Sequence, residues 1–427
     1  MGSDASTCSF CGVPQAPDVP LIAGIDGHIC ESCVQLASKV VGNWGRKRNL
    51  QKPLEKPPIP EEIKQHLDRY VIGQEAAKET LAVAVYNHYK RLKAESGELT
   101  QALGDNDTVE VEKSNVLLLG GSGTGKTLLV STLARIVGVP CVVADATTLT
   151  QAGYVGDDVD TVLARLLDMA DGDRDLAEWG IVYIDEIDKL ARRGEGSHGT
   201  RDVSGEGVQQ ALLKLVEGTR VDVSVKGRRN QSEHQVIDTR NILFIAGGAF
   251  AGIEQVLEKR LGHSAVSIGF HAEPPKEPDP QVKARLYEHT HPDDLRQFGL
   301  IPEFIGRFPI LTALHDLDEE ALVRILTEPR NALVRQYRQL FAYEGVELEF
   351  LPEALSAIAR EAIARGTGAR GLRSVVEGIL QRTMFHLPSM PDVVRCVVTE
   401  ACIDGSGEIE MERKTPSDEF AAAQQHG

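Results

Sequence analysis

Asn115-Val-Leu-Leu-Leu119-Gly120-Gly121-Ser122-Gly123-Thr124-Gly125-Lys126-Thr127 is the stretch from which the fold can be read. Its apolar start predicts a buried strand, and Lys126 to Val137 predicts the helix that follows. Between them lies the full pattern G-x-x-x-x-G-K-T, from Gly120 to Thr127. Glycines in such a turn let successive backbone N–H groups wrap phosphate oxygens without Cβ clashes, at the positive end of a helix dipole. Lys126 is then expected to reach the β- and γ-phosphates, and the Thr127 hydroxyl to ligate Mg²⁺. The segment Gly120 to Leu128 is accordingly the expected cofactor-binding segment, with ATP as the ligand. An ordinary glycine turn can match the pattern by chance, but the strand before it and the helix after it favour a nucleoside triphosphate.

Outward from this loop, the second nucleotide element is Ile181-Val-Tyr-Ile-Asp185-Glu186. Four apolar residues predict a strand buried on both faces that ends in two carboxylates. Asp185 is expected to hold the Mg²⁺ shell and Glu186 to polarise the water that attacks the γ-phosphate. Paired acids at a strand end also suit a solvated loop; the phosphate loop upstream favours the catalytic reading. Apolar runs at 115–119, 141–144, 181–184 and 242–246, each followed by a helical stretch, give a βαβα rhythm. That rhythm predicts an α/β domain with a parallel sheet covered on both faces. From Leu317 onward helices dominate, with short strands expected at Val346–Phe350 and near Val393–Val398.

Five regions follow: a metal-binding domain over 1–45, a linker over 46–60, a large α/β ATPase domain over 61–314, a small, mainly helical domain over 315–413, and a polar tail over 414–427, expected to be disordered. Four prolines in Gln51-Lys-Pro-Leu-Glu-Lys-Pro-Pro-Ile-Pro60 stiffen the linker and block helix. Long polar segments at Ala94–Ser114 and Arg192–Gly207 suggest functional or mobile loops.

The composition, 42% apolar and 26% charged, is that of a globular protein. A formal charge of −17 argues against a broad nucleic-acid grip, although Arg46, Lys47, Arg48 and Lys52 cluster locally. No stretch approaches the roughly 18 consecutive apolar residues of a membrane span. No signal peptide is visible in Met1 to Pro20, and the cytoplasm is the expected location.

Four of the seven cysteines form two knuckles, Cys8-x-x-Cys11 and Cys30-x-x-Cys33, eighteen residues apart. Four thiolates at tetrahedral positions suit Zn²⁺, and so short a region with few apolar residues cannot fold on burial alone. Two disulfides are disfavoured by the cytosol, and a C-x-x-C redox pair lacks its βαβ context. Cys141, Cys396 and Cys402 show no ligand spacing.

Two arginines stand out. Arg307 lies in Gly299-Leu-Ile-Pro-Glu-Phe-Ile-Gly-Arg-Phe-Pro309, and Arg370 in Gly366-Thr-Gly-Ala-Arg-Gly-Leu-Arg373. Either suits a contact with a transferring phosphate, but from the residues alone a surface salt bridge is the better reading of both.

Taken together, several of these motifs resemble one family. The four-cysteine module, the phosphate loop, Tyr70-Val-Ile-Gly-Gln74, Gln151-Ala-Gly-Tyr-Val-Gly156, Arg201-Asp-Val-Ser-Gly-Glu-Gly207 and Gly368-Ala-Arg-Gly-Leu-Arg373 are similar to those of ClpX, the AAA+ unfoldase subunits of the Clp protease. The similarity runs from about Cys8 to about Ile403. It implies homohexameric rings that thread protein substrates, some delivered by adaptors, through a central pore into a ClpP-like peptidase ring. It implies that Val71 and Ile72 pack near the adenine, that Arg307 is a finger offered to a neighbouring subunit, and that Arg370 is a sensor in the small domain. This overturns the salt-bridge reading. Tyr154 and Val155 become the pore loop that grips substrate, and Arg192–Gly207, anchored by a helix over Val208–Val216, becomes a second pore loop. Ile268-Gly269-Phe270 becomes the peptidase-docking tripeptide. Its setting in the polar, Pro-rich stretch His263–Pro280, where exposed Ile and Phe are otherwise unfavourable, points the same way.

One departure concerns the pore entrance. The family carries Arg-Lys-His there, whereas this chain has Lys226-Gly-Arg-Arg-Asn-Gln231 with His234 displaced. Substrate preference is the property this puts in doubt; the role of the acidic loop at 94–114 is likewise open. Two rivals remain, a DNA-associated AAA+ ATPase and a remodelling chaperone without a peptidase. The acidic charge speaks against the first and Ile268-Gly-Phe270 against the second.

Overall fold

The computed structural model describes residues 7–16, 19–24, 27–44, 58–95, 111–150, 157–191, 205–226, 232–261 and 286–414. Most of the linker, Tyr154 and Val155, residues 192–204 and 227–231, Ile268, Gly269 and Phe270, and the tail from 415 lie outside them. The chain forms two compact units, Met1–Gln51 and Lys52–Gly427.

In the first unit a short antiparallel pair, Leu21–Ala23 with His28–Cys30, runs directly into a helix, Glu31–Trp44. Cys8 and Cys30 are its buried hydrophobic residues among those described. Two buried sulfurs are no core, so this unit needs a further source of stability.

The second unit is built on a five-stranded parallel sheet in the order Ile310–Ala313, Val116–Leu119, Leu243–Gly248, Ile181–Asp185, Cys141–Asp145. Burial on both faces explains why Val116–Leu119, Ile181–Ile184 and Leu243–Ala246 are apolar without alternation. The phosphate-loop strand sits between two strands that come much later in the chain. The crevice at its C-terminal end is therefore a topological switch point, where open α/β sheets bind ligands. Helix Lys126–Val137 matches the expected span and ends at Gly138, whose φ of 77° caps it. A core of Leu81, Val85, Tyr89, Leu118, Leu129, Leu133 and Ile245 joins the helix Glu75–Glu95 to this sheet.

An antiparallel hairpin, Arg220–Lys226 with Ser232–Asp238, was not expected, although Arg-Val-Asp-Val-Ser-Val-Lys alternates with the period of a strand. Within it His234 Nδ1 lies 3.2 Å from Asp222 Oδ1. The helix Gly205–Glu217 contains the expected apolar stripe and also buries Gln209.

After Leu314, residues 314–318 form no regular element. Asp318 then caps a new helix, Glu319–Thr327, by accepting from Ala321 N at 2.8 Å. From there a second core, including Leu322, Phe341, Leu348, Ile358, Val376, Leu380 and Cys396, packs helices against a three-stranded sheet. Its strands are Glu347–Phe350, Val393–Val398 and Glu410–Arg413; the first pair is parallel, the second antiparallel. Among the described residues, no helix is long and apolar enough to cross a membrane.

Candidate functional site

The phosphate loop wraps the C-terminal end of its strand, with Gly125 at a φ of 98° capping the helix that starts at Lys126. Lys126 is buried, and its Nζ donates to the carbonyls of Gly120 at 2.6 Å and Gly121 at 2.9 Å. Burial holds this amine below the usual lysine range. Asp185 and Asp188 oppose that shift, and Arg370 adds to it. A cation this poorly solvated favours an anion such as a phosphate.

Asp185 ends its strand with both oxygens engaged. Oδ2 accepts from the Thr127 hydroxyl at 2.9 Å, while Oδ1 accepts from the Tyr183 hydroxyl at 3.1 Å and from Glu186 N at 3.0 Å. A hydroxyl and a carboxylate in contact beside a phosphate loop are the hard oxygen donors that Mg²⁺ prefers. Tyr183 reaches Asp185 because residue 247 is glycine; a Cβ there would collide with the tyrosine hydroxyl. Glu186 follows in a left-handed conformation, φ 57°, which a non-glycine residue rarely adopts and which recurs at active sites. Its side chain is exposed. Asp188, two residues on and buried, accepts from Ala249 N at 3.2 Å and so ties this turn to the neighbouring strand end.

Val71 and Ile72 are buried. Gln74, which the sequence analysis quoted in a motif but gave no role, donates to Thr124 O at 3.2 Å. The small domain also approaches the phosphate loop. A Cβ on Gly123 would lie 2.9 Å from Thr367 O, so the small domain closes onto the loop where only glycine fits. From that domain Arg370 Nη1 reaches Ser122 Oγ at 3.4 Å.

Arg307 is elsewhere. Its carbonyl accepts from Asn115 Nδ2 at 2.9 Å, at the opposite end of the strand that leads into the phosphate loop. Five residue steps separate Asn115 from Gly120, about 16 Å. The guanidinium of Arg307 donates to Glu217 Oε1 at 2.7 and 3.2 Å. The chain therefore brings Lys126, Thr127, Asp185, Glu186 and Arg370 to one edge of the sheet and leaves Arg307 at the other.

In the first unit the ligand atoms of Cys8, Cys11, Cys30 and Cys33 all lie within 4.8 Å of one another. The Cys11 and Cys30 sulfurs are 3.7 Å apart. Tetrahedral Zn–S bonds of about 2.3 Å imply sulfur–sulfur separations near 3.8 Å, so the four donors fit that ion. Burial acts to raise Cys8, but N–H groups of Cys11, Cys30 and Phe10 overcome it and bring the thiol down to about 6. Hydrogen bonds with the Cys11 and Cys30 thiols push Cys33 up to about 12. Four sulfurs crowded together resist losing the last proton, and a bound cation removes that resistance.

Comparison with known proteins agrees with both sites. Residues 6–43 match the ClpX C4-type zinc finger, residues 111–311 the AAA domain of the Cdc48 subfamily, and residues 317–395 the C-terminal, D2-small domain of ClpB protein. The chain is 60% identical over 410 residues to the ATP-dependent Clp protease ATP-binding subunit ClpX 3 of Methylococcus capsulatus, covering 95% of this chain and 94% of that one. It is 57% identical to the ClpX of Azotobacter vinelandii, with 98% of each chain covered. The ClpX of Treponema denticola is 47% identical, over 94% of this chain and 95% of its own. The chain belongs to the ClpX family. As a ClpX-family protein it is an AAA+ ATPase whose cofactors are ATP, Mg²⁺ and Zn²⁺. The expected fold class, α/β ATPase, small helical domain and N-terminal four-cysteine module, is the one observed.

Proposed function

We propose that this protein is an ATP-driven unfoldase and translocase, which assembles as a homohexamer and feeds protein substrates to a ClpP-like peptidase ring. The carrying observation is the separation of Arg307 from the chain's own phosphate loop. An arginine that cannot reach its own nucleotide is of catalytic use only to a neighbour's, and a closed ring gives every site such a neighbour. The names of its relatives, subunits of an ATP-dependent Clp protease, support the peptidase partnership.

Within this reading the four cysteines hold structural zinc in a domain over 1–45 that captures substrates or adaptors. The linker is 46–60, and the large and small ATPase domains are 61–314 and 315–413. Lys126 and the loop amides bind the phosphates, with Val71 and Ile72 against the adenine. Thr127 and Asp185 would hold Mg²⁺, which would supply charge neutralisation to the phosphates. Glu186 orients water for attack on the γ-phosphate. Arg370 senses the nucleotide from the small domain, and Arg307 stabilises charge in the adjacent subunit. Motion about residues 314–317 would move Tyr154 and Val155 along the pore, while Ile268-Gly269-Phe270 docks the peptidase. The location is cytoplasmic.

The decisive measurement is ATP-dependent loss of a tagged, stably folded protein, with and without a ClpP-like peptidase. Tyr154→Ala should leave ATP hydrolysis within about twofold of the parent yet fail on a substrate whose stability is roughly 5–15 kcal/mol. Already unfolded substrates should suffer less. Unimpaired unfolding of the stable substrate by this variant would remove the pore-loop assignment.

A further inference from the structure

We propose that Gln74 is a positioning residue that couples the phosphate loop to the hinge between the two ATPase domains. It rests on the reading that nucleotide moves those domains relative to one another. Gln74 is 5% exposed, and its side-chain amide makes three hydrogen bonds, none to its own neighbourhood in sequence. Its Nε2 donates to Thr124 O in the phosphate loop at 3.2 Å and to His315 O at 2.8 Å, and its Oε1 accepts from His315 N at 2.9 Å. One amide thus pairs with both backbone groups of a hinge residue, as a strand would, while touching the nucleotide loop.

The backbone is set up for this. Gly73 and Gln74 have φ values of 66° and 62°, two successive left-handed residues directly after Val71 and Ile72. A glutamine holds that conformation only where its surroundings over-determine it. His315 sits in the irregular stretch 314–318, where Leu314 N donates to Leu119 O at 2.7 Å and Asp316 Oδ1 comes so close to Gly121 that an added Cβ there would lie 2.7 Å from it. Gln74 is the side chain in this group that holds both loop and hinge. A shift of the loop on binding nucleotide is therefore delivered to His315 through two rigidly paired bonds.

Hydrogen–deuterium exchange of the full-length protein, with and without saturating ADP, tests this, because the His315 amide is itself one of the bonds. In the parent, ADP should slow exchange of the 314–318 segment by about fivefold or more. Gln74→Met keeps the volume and removes all three hydrogen bonds. It should abolish that response while ADP still protects the helix 126–137. Gln74→Glu keeps the acceptor for His315 N and loses both donations, so an intermediate response is expected. A residue that only fills space would give the parent's hinge response in Gln74→Met, and that result overturns the proposal. An unresponsive hinge in the parent, with 126–137 protected, overturns it as well. If ADP fails to protect 126–137 in the parent, the nucleotide reading of the site falls and takes this proposal with it. Should Gln74→Met misfold, a full parental response in Gln74→Glu is the overturning result.

Discussion

The two ends of the phosphate-loop strand carry opposite kinds of chemistry. At its C-terminal end, Lys126, Thr127, Asp185 and Arg370 converge from both cores on one cleft, each side chain held by a hydrogen bond within the chain. At its N-terminal end, Arg307 is anchored by its backbone to Asn115, but its guanidinium pairs with Glu217, and both partners are about half exposed. An exposed pair of this kind is worth roughly 0–1 kcal/mol. The cleft is thus pre-organised, while Arg307 is held loosely enough to exchange one carboxylate for another anion. Under the proposed ring, that difference separates what a single chain would accomplish from what would need a second copy.

The strongest way to break this comparison is Arg307→Ala. Loss of an arginine finger should lower kcat for ATP by about 10³-fold or more with nucleotide affinity retained. Glu186→Gln should lower kcat by about 10²–10⁴-fold, also with Mg-ATP binding kept, since Lys126, Thr127 and Asp185 remain. Mixed one-to-one before assembly, these two inactive proteins should recover about a quarter of the parental rate. Half of the sites keep Glu186, and half of those receive Arg307 from a neighbour. No recovery on mixing would place both residues in one chain's site and undo the comparison.

Tyr183→Phe sharpens the description of the cleft. The hydroxyl that fixes Asp185 Oδ1 is removed while the strand packing stays, so half-maximal ATPase should require about tenfold more Mg²⁺. Unchanged Mg²⁺ dependence would mean that Thr127 and the Glu186 amide suffice to orient Asp185. The smallest effect belongs to the other end of the strand. Glu217→Gln releases Arg307 from an exposed ion pair, and kcat should change by about twofold or less, with a weaker dependence on salt. A loss comparable to that of Arg307→Ala would show that Glu217 positions the arginine.

Much of the cleft was legible because its residues are contiguous. Gly120–Thr127 and Ile181–Glu186 are read as unbroken strings, and each string folds locally into strand and turn. The cysteine knuckles were legible for the same reason. Tyr183 lay in plain view inside a quoted strand, yet its role depends on Gly247 from a strand far along the chain leaving room for its hydroxyl. The role of Gln74 is not legible in the sequence, because its partners Thr124 and His315 are distant along the chain. The hairpin at 220–238 was missed although Val221, Val223 and Val225 alternate as a strand should. Arg307 received two readings from sequence, an ion pair from the residues and a finger from the resemblance. The ion pair with Glu217 is present, and it leaves the arginine accessible to a partner.

What the sequence determined by itself was chemistry set by neighbours along the chain: phosphate wrapping by glycines, a strand ending in two acids, four thiols in two tight turns, and a period that distinguishes sheet from helix. Only the tertiary structure decided which of these meet. Strand order placed the phosphate loop at a switch point, put Arg370 over Ser122, and set Arg307 a full strand length from the nucleotide edge. The physical reason is that local conformation follows from torsional preferences and burial period, which each residue carries with it. Contacts between distant segments are fixed only when the sheet closes and one packing of the whole satisfies most buried polar groups at once.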